Sequence, residues 1–193
     1  LKIGLVGCGP WGANILRDLQ VLNCQVLVAA RHESSRERAR QGGATFVGSL
    51  EDLLRQTVAG YVVAINTGDH GATIRSLVGE RKPIFVEKPL TTSVTEAEEM
   101  ATLGAGLVFM MDKWRYQAGV LELARLAQSG ELGDLQSISL RRVSTGNPHP
   151  DVSTIWTHMP HDLSIALEIL GEIPPVTHAA CEFVDGSLVG ARA

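Results

Sequence analysis

Three glycines in the string Gly7-Cys8-Gly9-Pro10-Trp11-Gly12 separate the short apolar run Lys2-Ile3-Gly4-Leu5-Val6 from Ala13-Asn14-Ile15-Leu16-Arg17-Asp18-Leu19. A strand, a glycine turn and a helix in that order narrow the folds open to the chain more than any other feature. Gly7 permits the tight turn, Gly9 lets backbone approach a pyrophosphate, and Gly12 lets the helix pack closely on the strand. The helix N-terminus then offers N–H groups and a partial positive charge to phosphates. Glycine turns of this spacing also occur in proteins that bind nothing. The strand before this one, and the repeat after it, point to a dinucleotide.

The first half alternates strand and helix, which predicts a parallel sheet. Strands are expected at 25–31, 45–47, 60–65, 83–86 and 107–110, with helices at Glu33–Gln41, 50–56, 70–79 and Val94–Leu103. Ser49 before Glu51-Asp52, and Thr95 before Glu96, read as N-terminal caps with acidic first turns. After Arg115 the pattern changes. An amphipathic helix at 119–128 ends at Ser129-Gly130, followed by an alternating run at 135–143 and a turn-rich stretch at 144–153. A helix at 158–170 and two β runs, 176–184 and Ser187–Arg192, complete the chain, with Asp185-Gly186 as a two-residue hairpin signal. The fold class is therefore α/β: an N-terminal Rossmann parallel sheet, then a short α+β domain with a mainly antiparallel open sheet. The expected division is a dinucleotide-binding domain over 1–115 and a substrate and oligomerisation domain over 116–193.

Composition bounds the partners. A net charge of −4 gives no electrostatic reason to expect nucleic acid or an anionic membrane. No apolar run approaches the roughly 20 residues that span a bilayer, and the chain enters a strand at once, so neither membrane nor signal peptide is expected and the cytoplasm is the expected compartment. Cys8, Cys24 and Cys181 have neither disulfide nor metal spacing. Cys8 reads as filler within the turn.

The end of the second predicted strand bears on which dinucleotide. An acidic residue roughly 20 positions beyond the glycine turn binds a ribose 2′-hydroxyl and marks NAD. Here Arg31 stands there, with His32, Ser34, Ser35 and Arg36 after it. A guanidinium with neighbouring hydroxyls suits a 2′-phosphate, so NADP is the expected cofactor, with NAD possible through Glu33. A solvated surface loop has the same composition.

Past the predicted strand ends stand Asn66-Thr67 with His70, Glu87-Lys88-Pro89, Lys113-Trp114-Arg115-Tyr116, Gly130-Glu131-Leu132-Gly133-Asp134 and Pro160-His161-Asp162. Together with the glycine turn, this ordered set resembles the glucose–fructose oxidoreductase / inositol dehydrogenase (Gfo/Idh/MocA) family along essentially the whole chain. Pro160-His161-Asp162 is similar to the branch of nucleotide-sugar dehydrogenases and ketosugar reductases. The resemblance implies NAD(P)-dependent hydride transfer between nicotinamide and a sugar, polyol or nucleotide-sugar hydroxyl or ketone. It implies that Lys88 touches the reacting oxygen, that His161 is the general acid/base, and that Glu87 steadies Lys88 and the nicotinamide side. Cofactor contacts are implied for Gly7, Gly9, Pro10, Trp11, Gly12, Arg31, His32, Ser35, Asn66, Thr67, His70, Glu87, Lys88 and Arg115. The residue types suit the chemistry. A histidine titrates near neutrality and can take a carbinol proton, and an ammonium stabilises a developing alkoxide.

Two departures stand out. Where the family carries Asp four residues before the histidine, this chain has Thr157, which can hydrogen-bond but cannot balance an imidazolium. His158 and Asp162 are also four apart and could pair in its place. The second domain is shorter than the family pattern. Both departures leave open a different class, a nucleotide-binding sensor or scaffold without turnover, whereas Lys88 with His161 favours the enzyme. His158 and His161 lack a third ligand at a metal spacing, so no metal is expected. Trp114, Tyr116 and Trp156 could stack on a sugar face or pack in a core; with Lys88, Thr157, His158 and His161 they form the expected substrate set. A small second sheet covered on one face implies a homodimer or higher oligomer through that sheet.

Overall fold

The computed structural model describes residues 1–143 and 152–192. It divides into two compact units, Leu1–Met111 and Asp112–Ala193.

The first unit alternates β1 (Lys2–Val6), α1 (Pro10–Val21), β2 (Gln25–Ala29), α2 (Glu33–Gln41), β3 (Phe46–Gly48), α3 (Leu50–Leu54), β4 (Gly60–Val63), α4 (His70–Leu77), β5 (Ile84–Val86), α5 (Val94–Leu103) and β6 (Val108–Met110). All six strands are parallel, in the order β3-β2-β1-β4-β5-β6. Successive strand side chains point to opposite faces, and here both faces are buried. Leu5, Val26, Val28 and Val62 meet Ile15 and Leu16 of α1 and Ala39 of α2. Val6, Leu27, Ala29, Tyr61 and Val63 meet Leu53, Ile74, Leu77 and Met100 from α3, α4 and α5. The order reverses at β1, which pairs with β2 on one side and β4 on the other. A crevice therefore opens beyond the carboxyl ends of β1 and β4, where open α/β sheets bind ligands.

Most expected elements appear, with strands a residue or two shorter and β3 shifted to Phe46–Gly48. Ser49 and Asp52 close a reciprocal capping box on α3. At α5 the cap is Ser93, whose hydroxyl accepts the Glu96 N–H at 3.3 Å. Thr95, expected to cap, lies inside the helix because the last extended residue is Ser93, not Thr95.

The second unit contains α6 (Ala118–Ser129), α7 (Thr154–Leu170), and the antiparallel hairpin β7 (Ala180–Val184) with β8 (Ser187–Arg192). Gly130 and Gly171 end the two helices in the left-handed region. Asp185 and Gly186 take φ of 48° and 75°, the two positive values that a tight hairpin turn with matching strand twist requires. The expected strand at 135–143 is not formed. Alternation supplies a face, but a strand also needs a neighbour for its backbone groups, and the described sheet here has only two strands. The expected turns at 144–151 lie outside the described residues. No helix among them is long and apolar enough to cross a membrane.

Candidate functional site

Beyond β1, Gly7 adopts φ +93° and donates its N–H to the Ala29 carbonyl at 2.8 Å. A Cβ on Gly7 would lie 2.3 Å from the Ala64 carbonyl oxygen, and one on Gly12 would lie 2.5 Å from that of Gly7. Both positions require glycine. Gly9 differs, since a Cβ there meets nothing within 4 Å. It is the N-cap of α1, no side chain caps that helix, and Pro10 and Trp11 form its first turn without an acidic residue. The open backbone at Gly9 and the electropositive helix end suit a pyrophosphate. From α2, Arg38 Nη1 donates to the Cys8 carbonyl at 2.8 Å, fastening the turn from behind. Cys8 is fully buried, and burial pushes its thiol pKa up despite Arg38, the opposite of what a nucleophilic cysteine needs.

Beyond β2, Arg31 is exposed, its Nη1 3.7 Å from Asp69 Oδ2. His32 is the N-cap residue of α2, and Ser35 lies in its first turn. Glu33, the alternative ribose ligand, accepts from Arg40 Nη1 at 2.7 Å, which holds its carboxyl below the usual range. Arg36 Nε donates to the Ala30 carbonyl at 2.8 Å.

Beyond β4 and β5 lie Asn66, exposed, Thr67, buried, and the Glu87-Lys88-Pro89 loop with a cis Lys88–Pro89 bond. Glu87 joins this loop to the glycine turn. Its Oε1 accepts from Trp11 Nε1 at 2.5 Å, and its Oε2 from the Lys88 backbone N–H at 3.2 Å. His70, expected at the cofactor, is instead 1% exposed and surrounded by the carbonyls of Ile65, Pro89 and Leu90.

In the second unit, His161 is buried on α7, and its ring meets the edge of Trp114 with centroids 6.3 Å apart. The Arg142 guanidinium lies 5.1 Å from the Trp114 ring centre and pairs with Asp162 at 3.0 Å. Asp162, which could pair with His158, accepts from Arg142 through Oδ1. Thr157 is buried, and its hydroxyl donates to the Ser153 carbonyl at 3.2 Å, a bond back along its own helix. Arg115, expected at the cofactor, bonds Glu168 of α7 at 2.8 Å and so anchors the 113–116 turn within this unit. Tyr116 is exposed, while Trp156 and His158 are half-buried.

Residues 1–107 match the family model described as the oxidoreductase family with an NAD-binding Rossmann fold, Gfo/Idh/MocA. The chain belongs to the Gfo/Idh/MocA family. It is 29% identical over 189 residues to inositol 2-dehydrogenase 2 of Saccharopolyspora erythraea, covering 89% of this chain and 54% of that protein. The chain thus spans about half the length of the curated relatives it matches. Its fold is similar to that of a myo-inositol dehydrogenase from Corynebacterium glutamicum, with a TM-score of 0.73 and 21% identity over 88% of this chain and 54% of that one. It is also similar to a 3-ketoreductase from Actinomadura kijaniata in complex with TDP-benzene and NADP, with a TM-score of 0.59 and 20% identity over 69% of this chain and 45% of that one.

Within this Gfo/Idh/MocA chain, the structure brings the glycine turn, Trp11, Glu87 and Lys88 together beyond the carboxyl ends of β1 and β5. It draws His70 and Arg115 inward as anchors. Arg38, Asp69 and Arg142 had no sequence signal of their own, because their contacts are with residues distant in the chain, which no local pattern encodes.

Proposed function

We propose that this chain is the nucleotide-binding and catalytic part of an oxidoreductase that moves hydride between nicotinamide and a CH–OH carbon of a sugar or polyol. The observation that carries the reading is Glu87, whose carboxylate is bonded both to Trp11 on the glycine turn and to the Lys88 N–H. It ties the loop that carries Lys88 to the glycine turn read as the phosphate cradle. When bound, nicotinamide supplies the hydride acceptor or donor. Lys88 then holds the substrate oxygen and stabilises its negative charge as the hydroxyl proton leaves. His161 takes that proton in oxidation and returns it in reduction.

NADP(H) is the proposed cofactor. Arg31 is exposed, while the Glu33 carboxylate is engaged by Arg40. Arg31→Asp is expected to weaken NADP(H) by about 1.5–3 kcal/mol, the range for a charged hydrogen bond, and to change NAD(H) little. Fluorescence titration with both cofactors checks this, and an equal loss for the two would defeat the assignment.

A sensor without turnover is the second reading, favoured by the Thr157 hydroxyl lying on a backbone carbonyl where the family pattern has a carboxylate. Nicotinamide titration with a turnover screen on sugars and polyols separates the two, since binding without turnover selects the sensor. A second copy is proposed to cover the hairpin, where Phe183, Val184 and Val189 are exposed, burying more than about 1,000 Å². Sedimentation at micromolar concentration should then show a dimer or higher oligomer, and a well-behaved monomer would refute it.

A further inference from the structure

Among the described residues, the hydrogen-bond partners of the His70 ring are all acceptors. Nδ1 lies 3.0 Å from the Pro89 carbonyl and 3.2 Å from that of Leu90, and Nε2 lies 3.2 Å from that of Ile65. Carbonyl oxygens only accept, so every hydrogen bond the ring makes here must be a donation. The two Nδ1 partners directly follow Lys88, while the Nε2 partner directly precedes Asn66. Pro89 contributes no N–H of its own to anchor the loop. The backbone around Lys88 is therefore held by side chains from both directions, by Glu87 on its N–H and by His70 on the next two carbonyls. His70 is the first residue of α4, a helix seated in the core through Ile74 and Leu77, so the ring is a firm post.

We infer that His70 is a positioning residue, whose Nδ1 hydrogen bond to the Pro89 and Leu90 carbonyls sets the backbone that carries Lys88. This rests on the reading of Lys88 given under Proposed function. The neutral ring has one N–H, and the inference assigns it to Nδ1, where it sets Lys88, and not to Nε2 beside the Ile65 carbonyl.

Asparagine places its amide nitrogen near the Nδ1 position, glutamine places its own near Nε2, and leucine fills space without donating. His70→Asn is expected to keep kcat within about tenfold of the parent. His70→Gln and His70→Leu should lower kcat by about a hundredfold, the scale of a small misplacement of a reacting group. Nicotinamide affinity should stay within a few-fold in all three. If the ring serves only as buried packing, Asn and Gln variants lose activity alike and in step with their melting temperatures, which would overturn the inference. Amide hydrogen exchange across residues 84–91, measured by mass spectrometry, tests the same point without turnover. Faster exchange in the Gln and Leu variants than in Asn is the expected order, and equal exchange in Asn and Gln overturns it. Should the parent turn over no sugar or polyol, the functional reading fails, and the exchange result still decides what His70 does.

Discussion

Alanine at Lys88 or at His161 is expected to lower turnover by about a hundredfold or more, with cofactor affinity within a few-fold of normal. The two losses have different causes. On the proposed mechanism Lys88→Ala removes the cation that meets the forming alkoxide, so the loss should appear with every substrate that turns over. On the same proposal His161→Ala removes the proton acceptor, and its loss should shrink as rising hydroxide takes over that task. A near-normal rate in His161→Ala would strike it out and make His158 the next group to test. Thr157→Asp is the reverse experiment. A carboxylate four residues before His161 lies on the same side of α7 and would favour the imidazolium. A gain in rate shows that the threonine leaves the proton step incomplete, and a loss shows that the Ser153 bond now at that position is needed.

The second large effect separates two glycines that the motif treats alike. Gly12→Ala would set a methyl 2.5 Å from the Gly7 carbonyl oxygen. Backbone on both sides must move, so the variant should lose about 1–3 kcal/mol of stability, as overpacked interiors do, and bind dinucleotide poorly. Gly9→Ala should melt like the parent, because its Cβ reaches open space and its φ of −66° is one that alanine adopts freely. Dinucleotide affinity should nevertheless fall more than about tenfold, equivalent to ~1.4 kcal/mol, because the methyl takes the room the pyrophosphate needs. Thermal melts with and without NADP(H) read both quantities. If Gly9→Ala binds normally, the phosphates do not pass over Gly9.

The sequence was most legible where local rules and tertiary demands agree. Glu33–Gln41 and Val94–Leu103 appear with the expected ends, because an extended residue precedes each and a glycine follows. The glycine turn was equally legible, since glycine is the only residue its backbone admits at Gly7 and Gly12. Failures fall where a residue's part depends on what lies across the fold. The run at 135–143 alternates as a strand should, yet alternation says nothing about a neighbour to pair with. His70 and Arg115 sit in motifs that suggest contact with ligand; nothing local in the sequence signals that the first is buried and the second paired with Glu168. Asp162 has a histidine at helical spacing, and its Oδ1 accepts from two nitrogens of Arg142, twenty residues away.

The Glu87 carboxylate, with one oxygen on Trp11 and the other on the Lys88 N–H, makes the first turn of α1 and the Lys88 loop share a single acceptor. Whatever settles over that turn and shifts the indole must alter how firmly the Lys88 backbone is held. Such coupling is reciprocal by thermodynamic necessity: a ligand gripping Lys88 changes the dinucleotide's affinity by the same factor with which the dinucleotide changes that ligand's. Cooperativity between the two ligands, the same whichever binds first, would thereby rest on one side chain.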